Sequence, residues 1–184
     1  MFIQTEQTPN PATLKFLPGR EVMGAGTANF TDPADAGRSP LAERLFQIEG
    51  IVGVFLGADF ISITKADDRE WYLLKPAILG VVMEHFTAGR PVLLEAVEAP
   101  DEDVREEDSE IVAQIKELLD TRVRPAVAQD GGDIIFQGFD QGIVYLHMMG
   151  ACQGCPASTA TLKMGIENML RHYIPEVVEV RPVF

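Results

Sequence analysis

Short runs of alternating apolar and polar residues open the chain. FIQTEQ and TLKFL, on either side of Thr8-Pro9-Asn10-Pro11, predict two strands around a turn. Residues 18–37 are rich in Gly, Ala, Pro and Asp and predict irregular structure. Ser39-Pro40 marks a helix start, a capping hydroxyl followed by a ring with its φ preset. Leu41, Leu45, Phe46 and Ile48 supply the apolar stripe, and Gly50 is placed to stop it. IVGVFLG and DFISITK predict a hairpin. A second helix is expected after Pro76, with Ile78, Val81, Val82, His85 and Phe86 near one face and Gly89 beyond its end.

The pattern resumes at Ser109, a candidate helix cap, with Ile111, Ile115, Leu118 and Leu119 at helical spacing. Pro125 falls near the end of that helix. DGGD (Asp130 to Asp133) then reverses the chain, with Gly131 or Gly132 at positive φ. Its two carboxylates fall short of the oxygen set of a calcium loop. IIFQGFDQGIVYLHM predicts two strands joined at Asp140-Gln141-Gly142. After GACQGCP comes a helix with Leu162, Ile166, Met169 and Leu170 on one face, and VVEVRPV closes as a strand. The fold class is therefore α+β.

Between the two patterned halves lies EAPDEDVREED, residues 98–108, with seven acids, one Arg and almost no apolar side chain. Such a run cannot offset its ordering entropy by burial and reads as a solvated, self-repelling linker. Two small domains, 1–97 and 109–184, are expected on either side. The linker holds −6 of the formal net charge of −13, against −4 and −3 for the halves. A chain this acidic is not expected to bind nucleic acid through a basic face or to dock on anionic lipid. LLKPAILGVVMEHF is interrupted by Lys75, Pro76, Glu84 and His85 and is too short for a bilayer. MFIQTEQTPNP reads as neither a signal nor a transit peptide. Two cysteines in 184 residues argue for a reducing compartment. That means cytoplasm, or the mitochondrial matrix if a leader was removed.

Those cysteines, Cys152 and Cys155, stand two residues apart, so that one bend can aim both sulfurs at one centre. The spacing serves zinc, iron–sulfur clusters and redox disulfides alike. Gly150 and Gly154 flank the loop, and Pro156 suits the first position of the following helix. Cys155 would then meet the unpaired N–H groups of a helix N-terminus, which favour anionic sulfur and lower its pKa. Met148, Met149 and Ala151 would limit access of water.

Several readings stay open. The cysteines can be packing residues that end a strand. They can form a thioredoxin-type redox pair, although that motif normally sits in a βαβ unit and the preceding elements read as an antiparallel hairpin. They can bind a metal, zinc at a structural dimer included. Sites of that kind need about four ligands, and His85, His147 and His172 lack finger-like spacing to the cysteines. The missing two ligands then come most economically from a second copy of the chain across a two-fold axis.

RPAVAQDGGDIIF, GACQGCPASTATLKMGIENML and PEV together resemble the C-terminal domain of NifU and the Nfu iron–sulfur scaffold proteins. FIQTEQTPNPATLKFLPG and RSPLAERLFQIEGIVGVFLGADFISITK resemble the Nfu N-terminal domain. The resemblance covers nearly all of the chain except the acidic linker. It implies a non-enzymatic scaffold or carrier that receives an iron–sulfur cluster from upstream assembly factors and passes it to apo iron–sulfur proteins. It further implies that Cys152 and Cys155 each ligate iron in a [4Fe–4S] cluster bridging a homodimer. Ala157 stands where family members often have Ser, with Ser158 and Thr159 still beside it.

Overall fold

A computed structural model describes residues 2–24, 26–94, 109–152 and 156–183. The chain divides into two compact units, Met1–Glu98 and Ala99–Phe184. Both mix helix and sheet, as expected. The acidic linker falls outside the described residues.

The first unit is a five-stranded antiparallel sheet in the order β1-β2-β5-β4-β3. Its strands are β1 (Gln4–Gln7), β2 (Thr13–Leu17), β3 (Ala28–Phe30), β4 (Ile51–Leu56) and β5 (Ile61–Lys65). Alternation sets the faces: Leu14, Phe16, Val54, Leu56, Ile61 and Ile63 point into the core. Helices α1 (Pro40–Phe46) and α2 (Trp71–Thr87) complete that core. On the other face the hydroxyls of Thr13 and Thr64 lie 2.8 Å apart, and the ring of Phe55 packs 5.9 Å from that of Phe60. The Ser39 hydroxyl accepts a hydrogen bond from the Ala42 N–H at 3.1 Å, as its position before Pro40 predicts.

Two expectations fail here for tertiary reasons. Residues 18–37 are not wholly irregular: β3 pairs with β4, and Phe30 is fully buried. The second helix begins at Trp71, a turn and a half before Pro76. Its first turn is anchored from outside, since the Trp71 indole N–H donates to the Pro11 carbonyl at 3.2 Å and Leu74 is buried. The face is otherwise as read, with Leu74, Ile78, Val82, His85 and Phe86 buried and Val81 only partly so.

The second unit stacks helices on a three-stranded sheet in the order β6-β7-β8. Its elements are α3 (Ser109–Leu118), α4 (Arg124–Gln129), β6 (Gly132–Asp140), β7 (Ile143–Gly150), α5 (Pro156–Tyr173) and β8 (Glu179–Val183). Gln141 and Gly142 take φ of 50° and 83°, the primed two-residue turn that matches strand twist. Ile134, Phe136, Val144, Leu146 and Met148 meet Val112, Ile115, Leu119, Ile166 and Leu170 in the core.

Pro125 does fall near the end of the helical run, which closes at Gln129, but it does not itself stop the helix. A π-helical turn over Leu119–Val123 carries it into α4, placing Pro125 in a new first turn where its missing N–H costs little. The larger surprise is β8. It lies parallel to β7, with Ile143 opposite Glu179 and His147 opposite Val183. The β6–β7 hairpin is antiparallel as expected, but β7–α5–β8 is a parallel crossover. Glu167 in α5 ties this unit together by accepting from the Val180 N–H at 3.1 Å.

Candidate functional site

The cysteine loop occupies the junction between β7 and α5. The last register pair of the hairpin is Gly132 opposite Gly150, and Gly150 turns the chain out of the strand with φ 65°. The Ala151 N–H then donates to the Gly131 carbonyl at 3.1 Å, which ties the loop to the DGGD turn. Gly131 takes φ 80°, as one of that glycine pair was expected to. Met148, Met149 and Ala151 are buried and supply the anticipated apolar cover.

Cys152 is 5% exposed and belongs to the apolar core of the unit. Its sulfur packs against Gly132: a Cβ there would stand 2.6 Å from Cys152 Sγ and 2.8 Å from the Met149 carbonyl oxygen. Burial of this order is what a packing cysteine would show, and it also gives a metal ligand a dry setting. Cys155 lies outside the described residues, as does its lowered pKa. The helix after it is long, 18 residues from Pro156.

Beside Gly132 stands an ion pair that periodicity did not reveal. Arg124 donates through Nε and Nη2 to the two carboxylate oxygens of Asp133, each at 2.9 Å, and through Nη1 to Asp120 at 3.0 Å. Asp133 is buried and also accepts from the Ile134 N–H at 2.8 Å. The hydrogen bonds that Arg124 donates to Asp133 push its pKa further up, with burial opposing and Asp120 adding. In the sequence this pair is nine residues apart, off any helical or strand repeat. Its one signal is a second Asp that a simple turn does not need.

The histidines do not gather at the cysteines. His172 is exposed at the far end of α5, its ring edge-on to Tyr173 at 5.0 Å. His147 sits on β7 opposite Ile135. His85 is in the other unit, fully buried on α2. Among the described residues, no group of three or more His, Cys, Asp or Glu is placed to hold a metal ion. No helix among them is long and apolar enough to cross a membrane.

A family model described as "Scaffold protein Nfu/NifU N terminal" matches residues 3–89, and one described as "NifU-like domain" matches residues 115–181. The chain is 54% identical over 185 residues to the NFU1 iron-sulfur cluster scaffold homolog, mitochondrial, of Drosophila sechellia, covering 100% of this chain and 65% of that relative. It is 54% identical over 188 residues to NifU-like protein 5, mitochondrial, of Arabidopsis thaliana, covering 100% and 68%. The solution NMR structure of a NifU-like protein from Saccharomyces cerevisiae aligns with a TM-score of 0.47 at 28% identity, over 52% of this chain and 87% of that one. The chain thus spans about two thirds of the length of the curated relatives it matches. Both units are matched, and more than half of the residues are identical in a relative aligned along the whole of this chain, so this chain belongs to the Nfu/NifU family of iron–sulfur cluster scaffold proteins.

Proposed function

We propose that the protein is a non-enzymatic carrier whose cargo is a [4Fe–4S] cluster held between two copies of the chain. Cys152 and Cys155 of each copy supply the four thiolates. The observation that carries this reading is the cysteine pair at the β7–α5 junction of a chain of the scaffold family. An oxidised cubane brings two positive charges to four thiolates, a net of about −2, and the N–H groups of a helix N-terminus favour such a charge. With two ligands per copy, separation of the copies or attack by an incoming thiol opens the site. Delivery to apo iron–sulfur proteins then needs no unfolding of a closed cage. Residues 1–97 and 109–184 act as two domains on an acidic tether, the second carrying the cargo. The relatives' names place them in mitochondria, and the matrix is the preferred location, with the cytoplasm as the alternative.

Anaerobic reconstitution with Mössbauer spectroscopy and iron, sulfide and mass measurements on one sample tests this. About two irons per chain and a dimer mass are expected. Cys152→Ala or Cys155→Ala should abolish loading, and retention of the cluster by both variants would overturn the assignment.

A second reading gains from the fold. The parallel β7–α5–β8 crossover is the βαβ setting in which redox CxxC pairs occur. In that case Cys152 and Cys155 give up two electrons and two protons to a substrate disulfide, form a disulfide themselves, and leave two substrate thiols. Insulin reduction by the iron-free protein would support it, and absence of turnover would dismiss it.

A further inference from the structure

We propose that Gly132 and the Arg124–Asp133 pair are positioning residues for the Cys152 thiol, forming a locked seat that fixes where the sulfur stands before cargo arrives. The proposal rests on the carrier reading for its purpose and on the geometry of the second unit for its substance. Gly132 is not in the left-handed region, so backbone freedom is not what calls for a glycine there. Space is. An added Cβ would come within 2.6 Å of Cys152 Sγ, 2.8 Å of the Met149 carbonyl oxygen and 3.1 Å of the Cys152 nitrogen. Two of those three atoms are backbone, so even a methyl group must displace the cysteine or the strand end.

The seat is held from both sides. The Ala151 N–H bonds the Gly131 carbonyl, joining the residue before the cysteine to the residue before the glycine. On the other flank, Asp133 is gripped by both arms of the Arg124 fork and by the Ile134 N–H. A fork fixes direction as well as distance, which a lysine cannot do. Ion pairs with a buried member are poor stabilisers compared with apolar packing of the same volume. Placed one residue from the seat, this one has a better use: it fixes residues 131–134 to α4 independently of the β6–β7 ladder. A ligand supplied two per chain must stand correctly before its metal arrives, and such support comes from residues behind the ligand.

The test uses the full chain carrying Cys155→Ser, so that Cys152 is the one thiol. Its alkylation rate by iodoacetamide is measured from pH 6.5 to 9.5, with thermal unfolding alongside. Gly132→Ala, Arg124→Gln and Asp133→Asn are each expected to raise that rate at least tenfold at every pH. Arg124→Lys, which keeps charge but loses the fork, should fall between. Ile115→Ala, a core truncation on α3, controls for plain loss of stability and should change the rate by less than twofold while the chain stays folded. In the chain with both cysteines, the same three seat variants should load less than half of the parent's iron. Seat variants that alkylate at the parent rate would overturn the proposal, as would a control that accelerates as much as they do. Three variants at separate positions guard against one failing to fold. Iron uptake by the unaltered chain decides the carrier reading separately, so either idea can fail without the other.

Discussion

His85 offers a prediction whose size follows from its surroundings. It is fully buried on α2, and neither ring nitrogen has a hydrogen-bond partner among the described residues. Burial pushes its pKa below the ordinary 6.5, and the guanidinium groups of Arg44 and Arg90 push the same way. The nearby backbone of Arg90 and Pro91 opposes this more weakly. The folded unit therefore resists protonation of the imidazole at pH values where the unfolded chain takes up the proton. Stability is complete above the unfolded pKa and is lost as pH falls below it, because the unfolded state then binds the extra proton. Between pH 7.5 and 5.5 the loss is bounded at about 1.4 kcal/mol, the full effect when only the unfolded state, with its ordinary pKa of about 6.5, takes up the proton. The sequence makes the measurement clean. His85 is the one histidine and Trp71 the one tryptophan of the first unit, and Trp71 packs 6.4 Å from Phe16 in its core. Urea unfolding of the full chain, followed by tryptophan fluorescence, should show the midpoint falling across that window. In His85→Leu the fall should vanish, with stability at pH 7.5 little changed, since an apolar side chain suits the buried position. A parent midpoint indifferent to pH, or a variant that keeps the parent's dependence, would refute the reasoning.

Two local substitutions test how the elements are set. Ser39→Ala removes the cap that satisfies the Ala42 N–H and should cost about 1 kcal/mol, read from the same tryptophan transition. Gln141→Asn places a residue better suited to positive φ in the β6–β7 turn and should stabilise the second unit by about 0.5 kcal/mol, seen as slower amide exchange along β6 and β7.

Where local chemistry decides, the sequence was readable. Ser39 before Pro40 starts α1, and Gln141-Gly142 makes the hairpin turn, because a cap and a primed turn each depend on a few adjacent residues. Where distant packing decides, it was not. Ala28-Asn29-Phe30 is too short to show a period and becomes a strand only by pairing with β4. Trp71 extends α2 ahead of Pro76 because of a carbonyl 60 residues earlier. The direction of β8 depends on α5 returning the chain along β7, and no pattern within VVEVRPV encodes that. The site divides in the same way. The cysteine spacing and its glycines are local, so Cys152 and Cys155 could be singled out. Two adjacent glycines at 131 and 132 look alike in sequence, yet one is needed for φ and the other for the room it leaves a sulfur.

The parallel crossover removes one argument against a redox pair, so the weight shifts to what each chemistry asks of Cys152. Disulfide exchange needs a thiolate that can approach a sulfur on another molecule in line. At 5% exposure, against Gly132 and inside an apolar cluster, Cys152 is badly placed for in-line attack, which needs a clear path along one axis to the other sulfur. A thiolate buried in the apolar cluster of this unit is also costly unless a positive charge stands beside it. Arg124 is not that charge, being committed to Asp133 and Asp120. Iron would be. The burial that handicaps an attacking nucleophile thus suits a metal ligand, whose charge is cancelled by the cargo it binds and whose dry surroundings limit access of water to the bound sulfur.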